Sequence, residues 1–184
     1  SLVGHSLGGA VALEFALAHP ERVTTLSLIG SGLEGFRYTN RFAKVISKQK
    51  ALLQREGKSP KFLRACLISP LFDGIRHQPE LLALVQGMLG LWSGASWLEQ
   101  TIYPSPRKLL VERLVELRVP TLVAVGDRDM PDFREIAAVL SENIPVARRA
   151  IIPKSAHLAP LENPEAFNDI LLDFLGGAVG KALI

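Results

Sequence analysis

Apolar residues fall into three regimes along this chain: dense runs near each end and a helical rhythm between them. Leu2-Val3 closes a buried strand, Gly8 to Ala18 reads as a helix of small and apolar residues, and Val23 to Ile29 supplies a second, partly β-branched strand. His19-Pro20-Glu21-Arg22 ends the helix, because proline disfavours helical backbone in the residue before it. Gly30-Ser31-Gly32 closes the strand.

From about Leu33 to Arg118 no stretch reads as a strand. Phe42, Val45, Ile46, Leu52 and Leu53 repeat at helical spacing, while Arg41, Lys44, Lys48 and Arg55 fall on another face. Further helices are predicted at Lys61–Ile68, Glu80–Leu91 and Ser105–Glu116, separated by Pro60, Pro70, Pro79, Pro104 and Pro106. The longest apolar stretch, Leu81 to Leu98, is interrupted by Gln86, Ser93, Ser96 and three glycines. It falls short of the unbroken run of about 20 residues that a membrane span needs, so stable membrane insertion is not expected.

Beyond Arg118 the strand and helix alternation returns. Val119 to Val125 is a strand ending at Gly126, Phe133 to Leu140 a helix, Ala150-Ile151-Ile152 a short strand and Pro164 to Leu175 a closing helix. Asp132 with Glu135 has the spacing of a capping-box variant, and Asn163 before Pro164 reads as a helix cap. Alternation of this kind predicts the α/β class, with a parallel sheet covered on both faces.

Composition adds limits. With 184 residues, 48% apolar and 21% charged, the chain can bury a substantial core. Cys66 is the single cysteine, which excludes an internal disulfide and fits a reducing, cytoplasmic setting. The net charge of +3 gives no reason to expect nucleic acid. Between Glu34 and Arg64, however, nine Lys or Arg residues face only two acids, Glu34 and Glu56. A solvated helix face is the first reading; a surface for anionic substrates or for a membrane surface comes after it. The chain opens on Ser1-Leu2-Val3, already inside an apolar run, and is read as part of a longer parent. No cluster of Cys and His has metal-ligand spacing, so neither a metal nor an organic cofactor is implied.

The chemistry starts at Gly4-His5-Ser6-Leu7-Gly8, which fits the nucleophile-elbow pattern and stands between an apolar strand and an Ala-rich helix. In such an elbow the serine occupies a strained strand-to-helix turn, and a Cβ on either flanking glycine, Gly4 or Gly8, is expected to collide with neighbouring backbone. The following helix turns its N–H groups toward the serine, so the Leu7 amide is the candidate oxyanion donor.

These residues, with Gly9 and His19-Pro20-Glu21-Arg22-Val23, resemble the α/β-hydrolase superfamily, in particular its small bacterial esterase, enol-lactonase and carbon–carbon bond hydrolase group. The likeness continues through Gly126-Asp127-Arg128-Asp129, Ala156-His157-Leu158 and Glu162-Asn163-Pro164-Glu165. It implies a truncated α/β-hydrolase fold: about four remaining parallel strands, flanking helices and a helical cap. Residues 1–32 and 119–184 then form the core and 33–118 the cap. The family's early strands and one oxyanion donor would lie upstream, leaving the first strand as an exposed edge and the isolated chain poorly active.

The resemblance also assigns roles. Of the four histidines, His157 lies where the family places its general base; His5 sits inside the elbow, His19 at a helix end and His77 in a cap loop. The family's glycine, two residues, then aspartate selects Asp129 as the orienting acid, with Asp127 as the alternative. Asp127 otherwise satisfies turn N–H groups, and Asp132 is better placed to cap a helix. Met88 and Trp92 belong to an apolar cluster that is core first and substrate pocket second. The expected function is hydrolysis of a small ester, lactone or related acyl compound through an acyl-enzyme on Ser6. The alternatives are carbon–carbon bond hydrolysis or acyl transfer on the same triad, and a non-enzymatic binding protein of the same fold.

Overall fold

The computed structural model describes residues 1–98 and 108–182. In chain order the elements are β1 (Leu2–His5), α1 (Leu7–Ala18), β2 (Leu26–Ile29), α2 (Asn40–Glu56), α3 (Pro60–Leu67), α4 (Pro79–Leu91), α5 (Ala95–Leu98), α6 (Leu110–Arg113), β3 (Thr121–Gly126), α7 (Pro131–Asn143), β4 (Ala147–Ile152), α8 (Ala159–Glu162) and α9 (Pro164–Ala182). The chain divides into two compact units, one of residues 1–36 and 107–184, the other of residues 37–106. Residues 33–36 and 108–118, expected in the cap, thus pack with the first unit. There the Val111 amide donates to the Glu34 carbonyl at 3.1 Å.

In the first unit the four strands pair in the order β1-β2-β3-β4, all parallel. β2 and β3 are buried along their whole length, which their unbroken apolar runs anticipate. One face carries Ile29, Leu122, Ala124 and Ile152, packed against Phe167, Ile170, Leu171 and Phe174 of α9. Elsewhere α1 packs on β1 and β2, and α7 on β3 and β4.

Element boundaries shift for local reasons. β2 starts at Leu26, because the Val23 amide is taken by Pro20 in a 3-10 turn over Pro20–Arg22. β4 begins three residues earlier than its apolar run, at Ala147, since an edge strand can carry Arg148 and Arg149 outward to water. The capping expectation for Asp132 is overturned. Met130 is the N-cap of α7 and Pro131 its first residue, so Asp132 lies within the first turn and is buried. Asn163 does cap α9, accepting the Ala166 amide on Oδ1 at 3.2 Å. The predicted Ser105–Glu116 helix begins outside the described residues; within them, α6 runs into a 3-10 turn at Leu114–Glu116.

The second unit is helical. Thr39 and Ser59 cap α2 and α3, accepting the Phe42 and Phe62 amides, and Pro60 and Pro79 open α3 and α4, where a missing N–H costs nothing. Leu52, Leu53, Phe62 and Cys66 form its core, joined by Leu89, Trp92 and Trp97. Arg41, Lys44 and Lys48 are exposed on α2, and Arg55 and Lys61 share Glu56. Among the described residues no helix is long and apolar enough to cross a membrane.

Candidate active site

Ser6 is the hinge between β1 and α1. Its φ of 53° and ψ of −118° lie outside the regions ordinary residues prefer. The turn is tied down around it: the Ser6 amide donates to the Ile29 carbonyl at 3.0 Å, and the Ser6 carbonyl accepts from Gly32 at 2.9 Å and Gly9 at 3.0 Å. A Cβ on Gly4 would lie 2.4 Å from the Gly8 carbonyl oxygen, so Gly4 is a steric requirement. Gly8, expected to be the second, is not: a Cβ there meets nothing within 4 Å. The crowded position is Gly9, whose Cβ would lie 2.4 Å from Ser31 Oγ. The Leu7 amide opens α1, where the first N–H groups of a helix have no intrahelical acceptor.

Two loops at the ends of β3 and β4 face this turn. Gly126 lets them meet, since a Cβ there would lie 2.3 Å from the Ala156 carbonyl oxygen. His157, from the second loop, places Nε2 2.9 Å from Ser6 Oγ. Its Nδ1 lies 3.1 Å from Asp129 Oδ2 and 3.2 Å from Oδ1. A carboxylate only accepts, so Nδ1 carries the proton and Nε2 is left to accept from the serine hydroxyl. Asp129 and His157 are both buried, and Asp129 Oδ1 also accepts the Met130 amide at 2.7 Å. The Phe133 ring lies 4.1 Å from the His157 ring, centre to centre. Gly30, at φ 47°, leaves the pair its space: a Cβ there would lie 3.2 Å from Asp129 Oδ2.

Asp127 does different work. Its Oδ1 accepts the Ser155 amide at 3.0 Å, tying the β3 loop to the β4 loop. Partial desolvation pushes its carboxyl upward, but the Lys154 and Ser155 amides and the Arg128 charge hold it below the ordinary carboxylate value. His19 caps the end of α1 and lies against Phe15, and His77 is exposed in a loop.

Two residues around His157 were not singled out by sequence. His5 Nε2 donates to the His157 carbonyl at 2.7 Å. Burial, and then the neighbouring His157 charge, push the His5 pKa down, so His5 is a neutral donor. Glu162 accepts the Ala156 amide on Oε2 at 2.7 Å and the Leu158 amide on Oε1 at 2.9 Å. The only sequence signal for Glu162 was its place in the Glu162-Asn163-Pro164-Glu165 string.

In the helical unit, Trp92 lines an apolar pocket of about 190 Å³ with Ile46, Gln49, Cys66, Leu89 and Trp97. Met88 does not line it and is 58% exposed on α4. Burial pushes the Cys66 thiol up to about 11, which makes it an inert packing residue at neutral pH. Among the described residues, no three His, Cys, Asp or Glu side chains group as a metal site would require.

Comparison with known proteins bears on the family and the fold. The chain is 31% identical over 179 residues to the 2-hydroxy-6-oxononadienedioate/2-hydroxy-6-oxononatrienedioate hydrolase of Burkholderia vietnamiensis, covering 95% of this chain and 61% of that protein. It is 33% identical over 183 residues to the 2-hydroxy-6-oxo-6-phenylhexa-2,4-dienoate hydrolase of Burkholderia cepacia, covering 95% and 62%. The chain thus spans a little over three fifths of the length of these relatives. Among solved structures, MenH from S. aureus superposes with a TM-score of 0.80 at 23% identity over 96% of this chain and 68% of that one. A thermophilic esterase from Thermogutta terrifontis superposes with a TM-score of 0.75 at 26% identity over 96% and 64%. The model of the alpha/beta hydrolase family matches residues 1–170. With a strained serine between β1 and α1, a four-stranded parallel sheet and this match over most of its length, the chain belongs to the alpha/beta hydrolase family.

Proposed function

We propose that Ser6, His157 and Asp129 are the catalytic triad of a serine hydrolase acting on a small ester, lactone or related acyl compound. The observation that carries this reading is the unbroken chain from Ser6 Oγ through His157 to Asp129, with separations of 2.9 Å and 3.1 Å, ending on a serine held at positive φ. In the acylation step Ser6 Oγ attacks the substrate carbonyl while His157 Nε2 takes its proton. Asp129 keeps Nδ1 protonated and stabilises the imidazolium. The Leu7 amide faces the developing oxyanion as one donor. Collapse breaks the acyl–oxygen bond, and His157 returns the proton to the departing alcohol. Water then attacks the acyl carbon as His157 takes its proton, and collapse breaks the bond to Ser6 Oγ, which receives that proton as the acid leaves.

A second reading is hydrolysis of a carbon–carbon bond in a keto-dienoate on the same three residues. What favours it is specific: relatives at 31% and 33% identity are named as dienoate hydrolases. Incubating the protein with 4-nitrophenyl esters, simple lactones and a 6-phenyl keto-dienoate, with product analysis, decides between the two. Ester or lactone turnover lost in Ser6→Ala supports the first reading; dienoate cleavage alone replaces it with the second.

A further inference from the structure

His157 is held by more than its side chain. The amides on either side of it, those of Ala156 and Leu158, both end on the carboxylate of Glu162, one on each oxygen. Its own carbonyl accepts the Nε2–H of His5. Three hydrogen bonds of 2.7, 2.9 and 2.7 Å therefore hold two peptide units beside one side chain, that of Ser155 and Ala156 at its N–H and that of His157 and Leu158 at both its N–H and its C=O. Two of them are charge-assisted, which makes them stronger and more directional than neutral ones. The donors and acceptors come from different places: Glu162 ends the short helix α8, while His5 ends the strand that delivers Ser6.

The second anchor matters most. His5 and Ser6 are adjacent, so the bond from His5 to the His157 carbonyl couples the loop carrying the base directly to the turn carrying the serine. The rings of His5 and His157 lie 5.1 Å apart, tilted by 46°. Without these anchors the loop is a poor platform, because it includes Lys154 at φ 53°, a conformation a non-glycine residue holds only when its surroundings impose it.

We propose that Glu162 and His5 are positioning residues that lock the backbone of His157 and so set its distance to Ser6. The proposal rests on the triad reading above. Neither residue touches substrate; both act through His157. Misplacement of a catalytic group by about 1 Å can slow a reaction about 100-fold, so a shift of a fraction of that on losing either anchor registers in the rate.

The test uses the full chain and four variants: Glu162→Gln, His5→Phe, His5→Gln and the double variant Glu162→Gln with His5→Phe. Glutamine at position 162 can accept one amide but presents its NH₂ to the other. Phenylalanine at position 5 keeps the ring and loses the donor, whereas glutamine restores one. Two quantities are read well below each variant's melting temperature: the rate at which a fluorophosphonate labels Ser6, and the low-field proton resonance of His157 Nδ1–H. Glu162→Gln and His5→Phe should each slow labelling by about tenfold or more and weaken the low-field resonance. His5→Gln should recover to within about threefold of the unmodified chain. The double variant should lose less than the product of the two single losses, because both anchors serve one loop. If His5→Phe does not fold, His5→Asn, too short to reach the carbonyl, takes its place. Unchanged rates and an unchanged resonance in the single variants would overturn the proposal, as would His5→Gln behaving like His5→Phe. A failure of the triad reading looks different: the unmodified chain would be labelled away from Ser6, while the His157 resonance would still report on the two anchors.

Discussion

Asp127 and Ser155, 28 positions apart, are joined by a 3.0 Å hydrogen bond from the Ser155 amide to Asp127 Oδ1. The bond explains why two aspartates so close in sequence have different tasks. Asp127 ties the loops that bring Asp129 and His157 together, while Asp129 meets the imidazole itself. On the proposed triad, Asp129→Asn should cut turnover on the order of 10⁴-fold, because it stabilises the wrong histidine tautomer. Asp127→Asn should stay within about tenfold, since an amide oxygen can still accept from Ser155. Steady-state kinetics of both variants on one ester checks the ranking, and the reverse order would make Asp127 the orienting acid.

Gly8 and Gly9 are neighbours with opposite expected responses. A Cβ on Gly8 meets nothing within 4 Å, whereas one on Gly9 would lie 2.4 Å from Ser31 Oγ. Gly8→Ala, within α1, should raise stability by up to about 1 kcal/mol through helix propensity. Gly9→Ala should lower it by about 1–3 kcal/mol through overpacking. Denaturant unfolding of the two variants measures both signs.

His5 predicts a pH dependence of stability. Its folded pKa lies below the ordinary 6.5, because it is partly desolvated and lies beside His157. As pH falls through 6.5, the unfolded chain gains a proton at His5 that the folded chain refuses, so stability present above 6.5 is lost on the way down to the folded value. The thermal midpoint should therefore fall between pH 7.5 and pH 5, and fall less in His5→Gln. Equal slopes in the two proteins would contradict a half-buried neutral His5.

Trp92 and Met88, four positions apart on the helical unit, predict unequal packing costs. Trp92→Ala removes a ring that lies against Phe62 and Trp97 and should lower stability by about 1–3 kcal/mol. Met88→Ala, at a residue 58% exposed, should stay within about 0.5 kcal/mol. Denaturant unfolding of the two variants gives both values.

Much of this was legible in the sequence because the decisive signals are local. The glycines around Ser6 and the apolar runs of β2 and β3 act within a few residues, and they mark the elbow and the buried strands directly. What escaped depends on distant partners. Arg148 and Arg149 hide a strand, since the pattern does not say that β4 lies at an edge. The capping reading of Asp132 failed because Pro131 takes the first helical position and moves the cap back to Met130. Glu162 and His5 look like an ordinary helix-end acid and an elbow filler until the loop of His157 folds onto them.

The central claim is that Ser6 is a nucleophile activated by His157, and active-site labelling tests it most directly. The protein is treated with a fluorophosphonate, digested, and the labelled peptide identified by mass spectrometry, in parallel with Ser6→Ala and His157→Ala. The account predicts a single adduct on Ser6, absent from Ser6→Ala and formed at least about 100-fold more slowly in His157→Ala. An adduct on another residue, or undiminished labelling of Ser6→Ala, would contradict it.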